Sequence, residues 1–287
     1  MRTAYDGSLV LKDGRTLGYA EYGDPLGTPI LVFHGTPGSR REGALFDRAA
    51  QAHHARILVA DRPGYVISSP LRHGTLLGYV EDVVAFADAL QLERFTVLGA
   101  SGGGPFALAC AAMIPERVRR CGLMSAVGPI TLPRSMNGMI LVNRFCIWLA
   151  RRSPGLVGTL VARQSASSRK KVQKYLNTGT SPLADVPPEV FALLMADQQE
   201  ARRVGGTGVT FDFRILTRAW DFPLEHIRPP VLLWHGAADN LAPLALARYM
   251  AEHIPGAVLK VLPKASHLGT YACTDEIVAT LVRDRDS

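Results

Sequence analysis

The chain has 287 residues, of which 47% are hydrophobic and 20% charged, and its formal net charge is +7. This size and composition fit one large α/β domain or a core domain with an insertion, and they exclude a disordered chain. No apolar run approaches the roughly 20 residues that span a bilayer. Basic residues are scattered apart from Arg169-Lys170-Lys171, and no aromatic residues interleave them. The charge therefore indicates a solvated helix face rather than a nucleic-acid platform.

The N-terminus and the cysteines predict a reducing compartment. The first residues, MRTAYDGSLVLKDG, contain no apolar h-region and no cleavage site, which favours the cytoplasm. The cysteines show no C-x-x-C pair and no clustering with histidine. We therefore expect neither a disulfide framework nor a metal site. The cysteines are Cys110, Cys121, Cys146 and Cys273.

The first 128 residues alternate between strand and helix patterns. Two short strand patterns flank Asp13-Gly14, a turn signal that predicts an antiparallel hairpin. The later strands are continuous apolar runs of the kind that parallel sheets bury on both faces. This alternation predicts a mainly parallel, doubly wound sheet. The predicted strands are 8–11, 16–22, 29–33, 56–60, 95–99 and 118–124, and the predicted helices are 42–52, 76–90 and about 102–114.

The pattern changes between residues 129 and 221. Buried strand runs disappear, and prolines divide the segment into several helical stretches. An insertion of roughly 90 residues is too long for a structureless loop. We predict a helical cap at 129–221, inserted between two parts of one α/β core at 1–128 and 222–287, with about eight strands in all. In the second part, strands are expected at 231–235 and 257–262 and helices at 244–253 and 274–283.

One short motif lies where a strand pattern meets a helix pattern. Residues 99–103, GASGG, match G-x-S-x-G. In this motif a sharp turn holds the serine in a strained conformation, with its hydroxyl exposed above the sheet edge. The N-terminus of the next helix favours a developing oxyanion. The motif predicts that Ser101 is a nucleophile.

A serine nucleophile needs a base, and the base needs a carboxylate that fixes its tautomer. Only two histidines follow the last plausible acid loop: His253, near a helix end where packing is expected, and His267, in the loop after the final strand. The loop after the 118–124 strand contains no acidic residue, whereas Asp239 follows the next strand. We predict that Ser101, Asp239 and His267 converge at the carboxyl edge of the sheet.

An oxyanion hole requires two backbone N–H donors. Gly102, directly after the nucleophile, is one candidate. The other should lie in the loop after the 29–33 strand, and Pro37 has no N–H, so Thr36 is predicted and Gly35 is the alternative. His34 and Asp61 are expected to brace loops.

Substrate contacts are expected from the loops and from the cap. Gly35 and Tyr65, with Phe145 and Trp148 of the cap, are the candidate substrate-binding residues. Apolar residues at helical spacing in the cap either pack it on the core or line a pocket, and in the second case they predict a small hydrophobic substrate. No metal, organic cofactor, nucleic acid or membrane-spanning segment is expected. The protein should be a monomer or homodimer.

The loops together resemble a known family. HGTPG, DRPGY, GASGG, GAADNLAP and the late Ser266-His267, in this order and spacing, resemble the α/β-hydrolase superfamily over nearly the whole chain outside the cap. The resemblance implies a capped bacterial serine hydrolase that cleaves a carboxylic ester or lactone through an acyl-enzyme. Ser101 argues against epoxide hydrolases and haloalkane dehalogenases, whose nucleophile is Asp. Gly102 replaces a bulky residue that several branches carry.

Other members of this superfamily remain as alternatives. A proline iminopeptidase would need acidic residues in the cap to bind a free amine, and no obvious pair is present, although Asp197, Glu200 and Asp212 are candidates. Carbon–carbon bond hydrolases and cofactor-free haloperoxidases share the same motifs. A transacylase, a cyclase or a ligand-binding protein that retains the triad is also compatible.

Overall fold

A computed structural model describes residues 5–71, 74–163 and 183–283. Within these ranges, eight strands form one sheet in the order β1-β2-β4-β3-β5-β6-β7-β8. The first two pairs in this order, β1–β2 and β2–β4, are antiparallel, and all later pairs are parallel, as predicted. The strands are β1 (Tyr5–Val10), β2 (Thr16–Gly23), β3 (Thr28–Phe33), β4 (Ala55–Ala60), β5 (Phe95–Ala100), β6 (Val118–Met124), β7 (Val231–Gly236) and β8 (Val258–Leu262).

Helices cover both faces of this sheet. The α-helices in the described part of the chain are α1 (Asp47–Ala52), α2 (Leu76–Ala89), α3 (Gly104–Met113), α4 (Leu141–Ala150), α5 (Pro154–Arg163), α6 (Pro188–Ala201), α7 (Thr207–Leu216), α8 (Leu244–His253) and α9 (Thr274–Val282). Short 3-10 turns occupy Arg40–Leu45, Ser101–Gly103, Leu224–His226 and Gly269–Cys273. None of the described helices is long and apolar enough to cross a membrane.

The core lies in two layers, one on each side of the sheet. Side chains of α2, α3 and α8 pack on one face, and those of α1 and α9 pack on the other. Every residue of β5 is buried because it lies between these layers. A strand that is buried on both faces is mostly apolar, which is why the sequence of β5 does not alternate. The carboxyl end of β5 is consequently held from both sides.

Helices α4 to α7 lie between β6 and β7. α5 packs against α4 and α7, and α6 packs against the turn at Arg40–Leu45. The predicted cap boundaries at 129 and 221 stay a prediction. The basic cluster Arg169-Lys170-Lys171 lies outside the described residues.

Two local predictions differ from the structure. The first hairpin has a five-residue connection, closed by the Leu11 N–H donating to the Arg15 carbonyl at 2.8 Å, with Gly14 at φ 84°. The predicted single helix at 42–52 is a 3-10 turn followed by the short α1, and the break falls at Phe46. The tighter turn buries both Arg40 and Glu42, which an amphipathic α-helix would have exposed on its polar face.

Candidate active site

The turn after β5 places Ser101 at the carboxyl edge of the sheet. β5 ends at Ala100, and Ser101 has φ 50°, in the left-handed region that serine rarely occupies. Two residues later, a Cβ on Gly103 would collide with the carbonyl oxygen of Phe33. The close approach of β3 to the turn therefore requires glycine there. The turn leads directly into α3, whose first N–H groups have no partner within the helix.

His267 and Asp239 meet Ser101 at this edge. Nε2 of His267 lies 2.9 Å from Oγ of Ser101, and Nδ1 of His267 lies 2.7 Å from Oδ2 of Asp239. An ionised carboxylate only accepts hydrogen bonds, so Nδ1 carries the ring proton and Nε2 is left to accept the serine proton. The structure brings together three side chains that the sequence assigned to three separate loops.

Asp239 has other hydrogen-bond partners in addition to His267. Oδ1 accepts the N–H groups of Leu241 and Ala242 at 2.9 Å each. Nε2 of His235 lies 3.3 Å from Oδ2 and also bonds to the Ala242 carbonyl at 2.7 Å. Burial raises the pKa of Asp239, but hydrogen bonds from His235 and His267 outweigh it and hold the pKa below its ordinary value. The carboxyl group is therefore ionised at neutral pH. His235 was not predicted, although it stands at the end of β7, four residues before Asp239.

In the loop after β3, the N–H groups of Gly35 and Thr36 differ in whether they are already bonded. The Gly35 N–H donates to Oε2 of Glu42 at 2.7 Å, so it is not available to an oxyanion. The Thr36 N–H has no acceptor among the described residues. Gly102 lies beside it, and a Cβ on Gly102 would overlap Oγ1 and Cβ of Thr36. Thr36 and Gly102 are therefore neighbours, and the absence of a side chain at 102 permits the contact.

Glu42 holds the loop after β3 in place through a hydrogen bond to its backbone. Its Oε1 accepts the hydroxyl of Tyr271 at 2.8 Å, while Oε2 takes the Gly35 N–H. Burial raises the pKa of Glu42, and the hydrogen bonds from Gly35 and Tyr271 oppose this rise. No sequence signal predicts this role for Glu42, because a glutamate at the start of a helix pattern normally faces water.

A buried ion pair joins the loop after β4 to α7. Asp212 accepts Nε of Arg62 at 2.7 Å and Nη2 at 2.6 Å, and both side chains are fully buried. Oγ1 of Thr36 also donates to Asp212 at 2.6 Å. Arg62 in turn donates to the carbonyl groups of His34 and Gly35. One carboxylate from α7 thus fixes both the arginine and the side chain of the candidate oxyanion residue.

Tyr65 lies in this network and not on the cavity wall. Its hydroxyl donates to Asp212 at 2.7 Å, and its ring is 1% exposed. The substrate-binding prediction for Tyr65 is therefore corrected. The reason is that its loop is drawn inward by the Arg62–Asp212 pair, which buries the ring under α7.

His34 and Asp61 lie where loop bracing was predicted. Nδ1 of His34 bonds to the Gly35 carbonyl at 2.8 Å, and Nε2 accepts the Arg62 N–H at 3.1 Å. Burial, with the charge of Arg62, holds the pKa of His34 well below its ordinary value. Asp61 accepts the Arg40 N–H at 2.7 Å and the Arg40 guanidinium at 3.0 Å. Burial raises the pKa of Asp61 to about 6 despite this pairing.

Ser101, His267 and Gly35 line a cavity of about 370 Å³. Most of its wall is apolar, and part of the wall comes from α4 to α7. The apolar wall residues are Val127, Ile130, Met139, Val142, Ile147, Val161, Leu194, Phe213, Leu216, Leu241 and Leu268. A second depression of about 520 Å³, beside Pro70 and Thr159, includes none of the predicted site residues.

Phe145 and Trp148 do not line this cavity, which corrects their prediction as substrate-binding residues. Their side chains are 56% and 48% exposed, on the outer side of α4. The inward side of the same helix presents Asn143, Cys146 and Ile147 to the cavity. Helical spacing identified one apolar face of α4 but not which face meets the core.

The cavity also has a polar end, formed by the last turn of α6 and the residue after it. Asp197 is 2% exposed, and Oδ1 accepts the Ser39 N–H at 2.9 Å and the Ser39 hydroxyl at 2.5 Å. Burial and the nearby charge of Glu42 raise the pKa of Asp197 well above its ordinary value. Nε of Arg202 is buried without a hydrogen-bond partner in the described part of the chain. Glu200 is absent from the cavity wall.

The remaining sequence candidates lie elsewhere. Nδ1 of His253 bonds to the Tyr249 carbonyl within α8 at 2.8 Å. All four cysteines are free, two of them buried and two partly buried. No group of three or more His, Cys, Asp or Glu residues in the described ranges could hold a metal ion.

Comparison with known proteins identifies the family of this chain. A family model described as alpha/beta hydrolase fold matches residues 28–271, and the chain belongs to that family. The chain is 33% identical to a proline iminopeptidase of Xylella fastidiosa, over 93% of this chain and 94% of that protein. It is 29% identical to an uncharacterised hydrolase of Bacillus subtilis, over 89% of each. A hydrolase structure from Pseudomonas aeruginosa superposes with a TM-score of 0.70 at 20% identity, covering 99% of this chain and all of the other.

Proposed function

We propose that the protein is a serine hydrolase that cleaves a carboxylic ester or lactone of a small hydrophobic substrate. The observation that carries the proposal is the continuous line of hydrogen bonds Ser101–His267–Asp239 at the wall of a largely apolar cavity. An apolar wall with a few convergent polar groups is typical of small-molecule sites. Family membership alone would support only a hydrolase.

In the proposed mechanism, the Ser101 hydroxyl attacks the substrate carbonyl while Nε2 of His267 takes its proton. Ionised Asp239 stabilises the imidazolium that forms. The N–H groups of Thr36 and Gly102 hold the oxyanion of the tetrahedral intermediate. His267 then protonates the leaving alkoxide, and water, activated by the same ring, releases the acid from Ser101. These steps require no metal or organic cofactor.

We further propose that residues 129–221 act as a cap that selects the substrate. Val142 and Ile147 of α4, with Phe213 of α7, contribute apolar surface to the cavity, opposite the loops of the core. Water exclusion by such a roof would strengthen the hydrogen bonds to the oxyanion. Substrate choice should then change with substitutions on these helices, while the chemistry stays with Ser101.

The proposal is tested with a chain-length series of p-nitrophenyl esters, lactones and proline p-nitroanilide. We expect ester or lactone turnover that rises with acyl apolarity and is abolished in Ser101→Ala and His267→Ala. His253→Ala is the matched control, since that ring bonds only within α8, and it should retain activity. Full turnover in Ser101→Ala would exclude the assigned nucleophile.

A second candidate, proline iminopeptidase activity, is favoured by one feature of the cavity. Asp197 presents a buried carboxyl group to the cavity that could pair with a free amine, and a relative at 33% identity carries that name. Asp212 is committed to Arg62 and is unsuited to this role. Selective cleavage of the anilide, lost in Asp197→Asn and retained in Asp275→Asn, would favour the peptidase over the esterase.

A further inference from the structure

One helix of the chain exposes a continuous apolar surface. Leu141, Val142, Phe145 and Trp148 of α4, here named the α4 face, are 78%, 55%, 56% and 48% exposed. Leu141, Phe145 and Trp148 recur at the spacing of one helix side. The rings of Phe145 and Trp148 stack at a centroid distance of 5.8 Å. Contiguous exposed apolar surface of this kind marks an interaction site more often than isolated exposed residues do.

The charged residues on α4 and directly after it have a single sign. Arg144, Arg151 and Arg152 lie on or next to α4, are exposed, and have no ion-pair partner among the described residues. Over residues 117–184 the sequence contains twelve Lys or Arg and no Asp or Glu. The remainder of the chain is therefore net negative. The positive charge is concentrated on the part of the sequence that carries the exposed apolar residues.

We propose that the α4 face is a docking surface for an anionic phospholipid bilayer. Helices that lie in the membrane interface combine Trp, Phe and Leu on one side with Lys and Arg beside them. The guanidinium of Arg152 stacks on the ring of Trp148 at 4.2 Å, so the cation and the amphipathic ring stand at the same level, as the headgroup region requires. Anionic headgroups supply the negative counter-charge that these three arginines lack among the described residues.

A second copy of the chain fits this surface less well. A symmetric contact between two α4 faces would bring the same three arginines of each copy together, and like charges oppose such a contact. An anionic surface instead gains from every one of them. The charge pattern therefore favours lipid over self-association.

The α4 face is continuous with the cavity that contains Ser101. Val142 belongs to both, since it is exposed on the face and also lines the cavity beside Asn143 and Cys146. Docking through this face would hold this part of the cavity wall close to the bilayer, where apolar solutes concentrate. The docking proposal does not depend on the chemistry proposed for Ser101.

The test measures binding of the full-length protein to vesicles of phosphatidylcholine alone and of equal parts phosphatidylcholine and phosphatidylglycerol. We expect cosedimentation with the anionic vesicles only, weakened by added salt. Arg144→Gln and Arg152→Gln should each lower the partition coefficient about fivefold. Phe145→Ser with Trp148→Ser should lower it at least about tenfold. Circular dichroism checks the fold of each variant.

The matched control residues lie before the amino ends of strands β3 and β5, whereas the active site lies at the carboxyl edge of the sheet. Leu26→Ser replaces a side chain that is 95% exposed, and Arg94→Gln removes an exposed charge just before β5, so both should bind as wild type does. Ser101→Ala should also bind normally, which separates docking from the proposed catalysis. Brominated lipid should quench tryptophan fluorescence in wild type but not in Trp148→Phe.

Three outcomes would overturn the proposal. The first is equal binding to neutral and anionic vesicles, and the second is no binding to either. The third is a dimer in sedimentation equilibrium that the Phe145/Trp148 double variant dissociates while vesicle binding is absent, which would assign the face to a second copy.

Discussion

Ser101, His267 and Asp239 stand at the ends of different strands, so each can be changed with little effect on the sheet. Asp239→Asn tests the orienting role of the carboxyl group. The asparagine amide can donate to Nδ1 of His267, which forces the ring proton onto Nε2 and removes the acceptor for the Ser101 hydroxyl. We expect kcat for a p-nitrophenyl ester to fall by about 10⁴, with KM nearly unchanged.

The control for this change is Asp275→Asn, an exposed aspartate paired only with His53. It should leave kcat within a factor of two of wild type. A loss of less than tenfold in Asp239→Asn would mean that another group orients the ring.

Gly102→Ala tests the candidate oxyanion hole by adding one atom, the Cβ of residue 102. The new Cβ would overlap the side chain of Thr36, so Thr36 must move and its N–H must leave its present position. Losing one such donor lowers kcat by about 10² to 10³. We expect that loss in steady-state kinetics on the best ester. Gly155→Ala, where an added Cβ meets no atom within 4 Å, is the matched control, and equal kinetics in the two variants would contradict the assignment.

At the scale of elements, the pairing of Asp212 with Arg62 ties α7 to the loop after β4, and Arg62 extends this link to the loop after β3. Asp212→Asn leaves the guanidinium fully buried without its counter-ion, and removing one partner of such a pair costs about 3 to 5 kcal/mol. We expect a fall of this size in the free energy of urea unfolding, together with a fall in kcat, because the amide has one acceptor oxygen for the donors, Thr36 among them, that the two carboxylate oxygens now share.

An exposed pair provides the comparison for Asp212→Asn. Asp88, whose side chain is 60% exposed, pairs with Arg117 at 2.8 Å, and Asp88→Asn should cost less than about 1 kcal/mol. If the two variants were equally stable, the buried pair would not hold α7 to the loop.

The arrangement of strands and helices explains which features could be predicted from the sequence. The bounds of β3, β5 and β7 are predicted to within one residue because two-sided burial favours nearly continuous apolar runs. Ser101, Asp239 and His267 could be located because each follows a strand, and parallel strands bring their ends together. The helices between β6 and β7 could be counted only roughly, since partly buried helices carry mixed patterns.

Tertiary partners explain the residues that sequence reasoning missed or misplaced. Arg62 and Asp212 are 150 positions apart, and no local pattern links them. Glu42 stands in a charged stretch that predicts exposure, yet it is buried against Gly35 and Tyr271. Trp148 was assigned to the cavity because its apolar spacing is compatible with either side of a helix. Which charges are buried is decided by the whole fold.

For the whole molecule, the buried carboxyl groups determine how stability changes with pH. The pKa of Asp61 rises from 3.8 to about 6 in the folded protein, chiefly through burial. Between these values the folded state binds more protons than the unfolded state, so the contribution of Asp61 is fully present below 3.8 and is lost as pH rises through about 6. Asp197 and Glu42, whose pKa values are also raised, act in the same direction. Asp239, with its lowered pKa, acts in the opposite direction.

Asp61→Asn isolates one of these contributions. The amide keeps the size of the side chain, and Arg40 keeps its bonds to Asp6, so the variant should fold. As pH rises from below 4 to 7, wild type should lose on the order of 3 kcal/mol of unfolding free energy relative to the variant. Urea unfolding at several pH values measures this difference, in which the contributions of Asp197, Glu42 and Asp239 cancel. Parallel profiles would mean that Asp61 is ionised throughout, with Arg40 outweighing its burial.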